Sequence, residues 1–363
     1  MFVPLVRAWH RGGSGGHCQV VRRATCSPFS TAVTNVALSY QYISAGGKDQ
    51  YYPKYGSSFY ESHETSMERN VPGDKKLCVM VHGMLGQGKN LRTFAKRIVD
   101  KYPSFDVLLL DLRGHGSSPP GPAGTNDLTR CAQDVLGLFQ TIGRQPEVLV
   151  GHSFGGKVAL ALLQEMVDQA LDLHHPLGLP RTWIWDSTPG TNDPSTLPTT
   201  NATWSVLNAL NAIKIPIRDK KHVLDTLEKH DVGRQIGMWM TTNLVPYKGA
   251  NLPGEYEWAF DLPCCEELME AYNSTDLYGV FDMLPYTATN KASWGNVINF
   301  VRAGNNPVWT DMLVEEIEAI EEFALDGEVG MHHLEDVGHW VHVEAPERCF
   351  ELLDEHTLSK LCR

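Results

Sequence analysis

The stretch Val148-Leu149-Val150-Gly151-His152-Ser153-Phe154-Gly155-Gly156-Lys157-Val158-Ala159-Leu160 constrains this chain more than any other. A short apolar run of this kind reads as a buried strand, and the apolar pattern after it as a helix. Between them stands Gly-x-Ser-x-Gly. Small residues at Gly151 and Gly155 permit a turn so tight that its middle residue, Ser153, is forced into an exposed, strained backbone position. A strand, a sharp turn and a helix are therefore expected here, with a serine hydroxyl presented at the bend.

The same strand–helix rhythm recurs. Leu77–Val81 reads as a strand running into His82-Gly83-Met84-Leu85-Gly86, followed by a helix with Leu91, Phe94, Ala95 and Ile98 on one face. Val107–Asp111 is a second strand. It leads into Leu112–Ser118 and then a helix with Leu128, Cys131, Ala132, Val135, Leu138 and Phe139, which Asn126 or Asp127 can cap. Thr182–Asp186 is a further strand. Before this series, Ala37–Ile43 and Ser57–Glu61 suit an opening antiparallel pair. Strands alternating with helices imply a mostly parallel sheet covered on both faces. Ligands of such sheets sit beyond the carboxyl ends of the strands. His82-Gly83, Asp111, Ser153 and Asp186 all stand at those ends.

After Asp186 the alternation stops. Residues 187–293 open with a Pro/Thr-rich linker. They carry helical patterns around Val206–Ile213, His222–Met240 and Glu266–Tyr272, with Trp204, Met238, Trp239, Met240, Trp258 and Phe260 concentrated among them. This region reads as a helical cap inserted over the strand edge. Most of its aromatic residues are expected to pack in the cap itself, and some to face an apolar pocket. The sheet resumes at Val297–Gly304 and Gly330–Leu334, with a helix from about Thr310 to Phe323 between them and a last helix from Pro346. The expected organisation is a leader at 1–35, a first part of the α/β core at 36–186, the cap at 187–293 and the rest of the core at 294–363.

A serine hydroxyl is a weak nucleophile at neutral pH and needs a base within reach and a carboxylate to orient that base. His339, in Gly338-His339-Trp340 just after the last strand, is the expected base. His152 lies inside the turn, and His82 and His115 begin or hold turns. His332 and His333 lie in a strand without a carboxylate or cysteine at ligand spacing, and His342 is packed or solvated. Acyl transfer also needs donors for the developing oxyanion. The Phe154 N–H supplies one, and the Met84 N–H is placed to supply the other. Asp111 is expected to fix the Arg113–Gly116 turn, and Arg113 to brace it.

With these segments in view, the chain resembles the α/β-hydrolase-fold superfamily, and within it the abhydrolase-domain and short bacterial esterases. The likeness rests on His82–Gly86, Asp111–Ser117, Gly151–Lys157 and Gly338–His342, with Trp183–Gly190 similar to plant-type members. It covers residues from about 75 to 355 and is weakest in the cap. The resemblance implies an α/β sheet with helices on both faces and an inserted helical cap. It also implies a serine hydrolase acting on carboxylic esters or thioesters through an acyl-enzyme. C–C bond hydrolysis on the same residues and a ligand-binding receptor on this scaffold are the alternatives. Chemistries that need a carboxylate at the bend are disfavoured by Ser153. The third catalytic member stays open. Most of the superfamily carries it after the strand at 297–303, where this chain has Asn305-Asn306. The resembling esterases carry it after the preceding strand, which points to Asp186. Asp311 is the alternative acid, with Asp261 in the cap behind it.

Composition narrows the remaining classes. With 363 residues the chain can hold one large α/β domain with an insertion. A net charge of −12 disfavours a nucleic-acid surface. No apolar run approaches the roughly 18 residues that span a bilayer. The eight cysteines form no Cys-x-x-Cys pair, which suits idle thiols in a reducing compartment better than a zinc site or disulfide framework. No metal or organic cofactor is implied. The expected partner is a small acyl ester, and the apolar cap favours a lipid-like or medium acyl chain. The sequence sets no oligomeric state. Residues 1–48 contain no Asp or Glu, carry Arg7, Arg11, Arg22 and Arg23, and are rich in Ser and Thr. That is the composition of an organelle transit peptide, for the mitochondrion first and the plastid second.

Overall fold

The computed structural model describes residues 35–46, 49–52, 75–173, 178–192, 202–249, 254–287, 297–324 and 328–362. The expected leader and the segment Ser57–Glu61 lie outside the described residues. In chain order the core elements are β1 (Tyr40–Ser44), β2 (Gln50–Tyr52), β3 (Lys76–Val81), α1 (Arg92–Lys101), β4 (Phe105–Leu110), α2 (Leu128–Ile142), β5 (Val148–His152), α3 (Phe154–Leu173) and β6 (Arg181–Trp185). The cap follows, with α4 (Ala202–Asn211), α5 (Lys220–Lys229), α6 (Arg234–Thr241), β7 (Leu244–Pro246), β8 (Tyr256–Trp258), α7 (Leu262–Ser274) and α8 (Gly279–Thr287). The core then closes with β9 (Ile298–Ala303), α9 (Asp311–Phe323), β10 (Val329–Leu334), α10 (Val341–Glu344) and α11 (Pro346–Leu353).

Eight strands form one sheet in the order β10-β9-β6-β5-β3-β4-β1-β2. All pairings from β10 to β4 are parallel, and β1 and β2 add an antiparallel edge. The strands are apolar at successive positions because both faces are covered. Successive side chains of a strand point to opposite faces. Leu77, Val79, Val81, Leu149, Ile184 and Phe300 accordingly pack on the α2 and α3 side with Val135, Val158 and Leu162. Cys78, Met80, Val148, Val150, Trp183 and Trp185 pack on the other side with Phe94, Ile98, Phe350 and Leu353 from α1 and α11. Asp127 caps α2 by accepting the Arg130 amide, and Gly143 ends it in the left-handed conformation. The six cysteines among the described residues are free thiols, and five of them are buried.

Three expectations are corrected in detail. The partner of β1 is Gln50–Tyr52, with Tyr40 opposite Tyr52 and their rings stacked at 4.6 Å. Gly46, just after β1, takes a left-handed φ of 67°, and Ser57–Glu61 lies outside the described residues. The helical pattern over 222–240 is two helices. The chain breaks at His230–Gly233, where Asp231 takes φ 59° and Gly233 caps α6. Apolar spacing continues across that break, but Asp and Gly are poor helix formers and end α5 there. The cap also holds the antiparallel pair β7–β8, which helical periodicity in its neighbours concealed.

The elbow helix α3 sits hard against β3. A Cβ built on Gly155 would lie 2.5 Å from the carbonyl oxygens of both Val81 and His82, so backbone itself excludes any side chain. Gly137, within α2, has open space around its Cβ position. Gly155→Ala is therefore expected to destabilise the protein by about 1–3 kcal/mol through overpacking. Gly137→Ala is expected to stabilise it by about 0.5–1 kcal/mol by removing backbone entropy from the unfolded chain. Urea denaturation midpoints of the two variants should move in opposite directions, and a shift of the same sign for both would contradict this account.

Candidate active site

Because β5 and β6 run parallel with His152 opposite Trp185, the next residue of each strand leaves the sheet at the same edge. Those residues are Ser153 and Asp186. Both take left-handed backbone angles, φ 53° and φ 52°. The Ser153 amide donates to Trp185 O at 2.8 Å and the Asp186 amide to Val301 O at 2.8 Å, so the bends are locked into the sheet that precedes them. Two strands away, β10 delivers His339. His339 Nε2 stands 2.9 Å from Ser153 Oγ, and Nδ1 stands 2.6 Å from Asp186 Oδ2. A carboxylate only accepts, so Nδ1 carries the proton and Nε2 is the bare acceptor facing the hydroxyl. An imidazole held this way can take a proton from the serine.

Asp186 is buried, and its charge is met by four donors. Oδ1 accepts from Trp309 Nε1 at 2.6 Å and from the Ala303 amide at 3.0 Å. Oδ2 accepts from Asn306 Nδ2 at 2.6 Å as well as from His339. Both carboxylate oxygens are thus satisfied, as buried polar atoms generally are. Asn306, where the wider superfamily would place the acid, is thus a donor to the carboxylate. Asp311 lies exposed in the first turn of α9, and no hydrogen bond joins it to His339 among the described residues. Asp261 caps α7 by accepting the Cys264 amide at 2.9 Å.

The loop after β3 passes against the serine, since a Cβ on Gly83 would lie 3.3 Å from Ser153 Cβ. Among the described backbone hydrogen bonds, neither the Met84 nor the Phe154 amide is used up by an acceptor. Phe154 opens α3, where helix N–H groups lack intrahelical partners. Two buried histidines tie this loop to the one after β4. The Leu112 amide donates to His82 Nε2 at 3.0 Å, and the Leu85 amide donates to His115 Nε2 at 3.1 Å. Their Nδ1–H groups donate to Gly83 O and Arg113 O, so both rings are neutral and of defined tautomer. Burial lowers their pKa values to about 4 for His82 and about 3 for His115. Asp111 holds the Gly88 and Ser117 amides, and Arg113, fully buried, pairs with Asp134 at 2.8 Å.

Sequence reasoning passed over several neighbours. The His152 ring donates through Nε2 to the main-chain carbonyl of His339 at 2.8 Å. His342 packs half-buried against it, with ring centroids 4.5 Å apart, and stacks on Trp185. Lys157 is buried in the first turn of α3 and donates to Gly190 O and Tyr272 O, both at 2.6 Å. It ties the chain leaving Asp186 to the cap helix α7, and burial lowers its pKa to about 7. A histidine beside the serine and a lysine four residues on were visible in sequence, but their carbonyl partners were not. Aromatic rings surround the site. Tyr272 lies 6.0 Å from Phe154, and Trp340, beside His339, lies 6.3 Å from Trp239 of the cap. His332 stacks on Trp183, away from the triad-like cluster. Among the described residues no group of three or more His, Cys, Asp or Glu side chains could hold a metal ion.

The neutral histidines set an acid limit. Burial depresses the pKa of His82, His115, His152, His332 and His342 in the folded protein. Below about pH 6.5 the unfolded chain takes up protons that these rings refuse, so stability falls with pH down to about 4. Asp134, whose carboxyl burial raises to about 6, and Glu165, raised by burial too, pull the other way with two protons against five. The urea midpoint should therefore be clearly lower at pH 5 than at pH 7.5. An unchanged midpoint would mean that the native rings already carry their protons.

Comparison with known proteins identifies the family. Residues 78–352 match the family model described as Alpha/beta hydrolase family. The chain is 25% identical over 285 residues to the sn-1-specific diacylglycerol lipase ABHD11 of Mus musculus, covering 76% of this chain and 80% of that protein. It is 21% identical over 277 residues to Esterase YbfF of Escherichia coli (strain K12), covering 74% and 88% respectively. A solved marine microorganism esterase has the same fold, with a TM-score of 0.61 at 17% identity, covering 89% of this chain and all of that one. The chain belongs to the alpha/beta hydrolase family, on its esterase- and lipase-like side.

Proposed function

We propose that this protein hydrolyses carboxylic esters or thioesters with Ser153 as nucleophile, His339 as general base and acid, and Asp186 as the carboxylate that orients it. The observation that carries the reading is the unbroken relay from Ser153 Oγ through the His339 ring to Asp186, with bonds of 2.9 and 2.6 Å. Ser153 Oγ attacks the acyl carbon and passes its proton to His339 Nε2. The amides of Met84 and Phe154 donate to the oxyanion of the tetrahedral intermediate. The intermediate collapses, the C–O or C–S bond breaks, and the alcohol or thiol leaves with the proton from Nε2. Water then gives a proton to His339 and attacks the acyl-enzyme. Ser153 Oγ takes that proton back and the acid departs. The imidazolium formed twice in this cycle is stabilised by the buried, four-fold hydrogen-bonded Asp186.

A lipid-like acyl chain is the favoured substrate class. The partly buried rings of Trp340, beside His339, and Trp239 of the cap, 6.3 Å apart, support it, and so does the likeness to a protein named as a diacylglycerol lipase. Residues 1 to about 30 are proposed to direct the chain to the mitochondrion, with the plastid as second choice, on the strength of their Arg-rich, acid-free composition.

Purified protein should be labelled by a fluorophosphonate at Ser153 and should cleave p-nitrophenyl esters. Asp186→Asn should lower kcat by roughly 10^4, the scale on which loss of the orienting carboxylate acts. Asp311→Asn should leave kcat within about twofold, as exposed substitutions away from a site do. Equal, small losses in the two variants would remove Asp186 from the mechanism, and absence of labelling in folded protein would favour a receptor. For the address, residues 1 to 35 fused to a fluorescent reporter should carry it into mitochondria, and a diffuse cytosolic signal would refute that assignment.

A further inference from the structure

The loop that offers the Met84 amide is held in an unfavourable conformation by a residue of the cap. The Gly86 amide donates to Gly83 O at 3.0 Å and closes a tight turn through Met84 and Leu85. Leu85 occupies its third position with φ 60°, a left-handed angle suited to glycine. A leucine stays there only if its surroundings insist. Both of its peptide groups are in fact clamped. The Leu85 N–H donates to His115 Nε2 at 3.1 Å. The Leu85 carbonyl accepts from Asn243 Nδ2, also at 3.1 Å.

Asn243 follows α6 and is fully buried. Its side-chain oxygen accepts from Gln87 Nε2 at 2.8 Å, which fixes which end of the amide faces Leu85. Its backbone carbonyl accepts the Ala259 amide at 2.7 Å, and Ala259 O in turn accepts the Gly116 amide at 2.6 Å. A chain of hydrogen bonds thus runs from the turn at 83–86, through the cap, to the loop at 114–116 that carries His115. The two clamps on Leu85 are parts of one closed circuit, which the cap completes.

We propose that Asn243 is a positioning residue for acyl transfer: by holding the Leu85 carbonyl, it keeps the preceding Met84 N–H aimed at the oxyanion. The inference rests on the reading of Ser153 as nucleophile and Met84 as oxyanion donor, and it goes beyond it. The cap does more than cover the substrate. Seating of α6 and the segment after it completes the oxyanion site, so an unseated cap leaves the serine and histidine in place with one donor misaligned. The electrostatic contribution of such a donor falls on the tetrahedral state and much less on the bound ester.

The test compares kcat and KM for p-nitrophenyl butyrate, and inhibition by an alkyl boronic acid whose tetrahedral adduct on Ser153 fills the oxyanion site. Three proteins are measured: wild type, Asn243→Leu and Glu267→Ala. Glu267 joins the cap helix α7 to the Gly124 and Asn126 amides near the surface, so its loss removes one cap–core contact while the Asn243 clamp keeps the cap seated on the turn at 83–86. Asn243→Leu should lower kcat about 10- to 100-fold, a fraction of what deleting an oxyanion donor costs, with KM within about twofold. The boronic acid should bind more weakly by a similar factor, and Glu267→Ala should do neither. Should the leucine variant not fold, Asn243→Asp, which is isosteric and lacks the Nδ2 donor, is read in the same way. Unchanged kcat in the Asn243 variant, a loss confined to KM, or an equal kcat loss in Glu267→Ala would overturn the proposal while esterase activity of the wild type stands. A wild type that neither turns over esters nor labels at Ser153 would overturn both readings together.

Discussion

Parallel pairing of β5 with β6 is the constraint from which the site follows. In a parallel pair both strands end at the same edge, and here the register sets His152 beside Trp185. The residues that come next, Ser153 and Asp186, must then turn off the sheet side by side. Each does so through a left-handed bend, and each bend is tied by its amide to a carbonyl of the neighbouring strand. The backbone strain is held by the sheet rather than by the side chains that react. This leaves the hydroxyl and the carboxylate free to meet one imidazole from opposite sides.

That imidazole is surrounded by others that stay neutral. His82 and His115 each accept an amide proton on one nitrogen and donate to a carbonyl from the other, and His152 donates to the carbonyl of His339 itself. Burial prevents these rings from taking on charge, so they serve as fixed polar struts. The buried carboxylate of Asp186 accepts from four donors, two of them side chains of the β9–α9 loop. Positive charge generated on His339 therefore meets an anion that is already solvated by protein. Less reorganisation is needed when the charge appears.

The cap contributes polar contacts as well as apolar walls. Asn243 reaches the turn at 83–86, Glu267 reaches the core loop at 124–126, and Tyr272 O receives Lys157. Two of these contacts land on loops that follow a strand, and the third on the first turn of α3, just past the bend at Ser153. Motion of the cap would be felt there first.

Much of the architecture was legible in the residues themselves. Apolar runs of strand length and helical spacing are local properties, so the order of elements, the parallel sheet and the convergence of Ser153, Asp186 and His339 at strand ends could be read before any coordinates. Local patterns misled where they continue across a break, as at Asp231, or where a short pair such as β7–β8 has too few residues to show a period. Which carboxylate meets His339 was not a local matter. Asp186 lies 153 residues before it in the chain, and Asp311, nearer in sequence, points into solvent. Residue order fixed most of the core elements, the inventory of reactive groups and the edge on which they gather. Only the tertiary structure decided the pairings among them: His339 with Asp186, Asn306 with the same carboxylate, Asn243 with Leu85. The physical reason is that a hydrogen bond is fixed to within a few tenths of an ångström, whereas periodicity places a side chain only on a face.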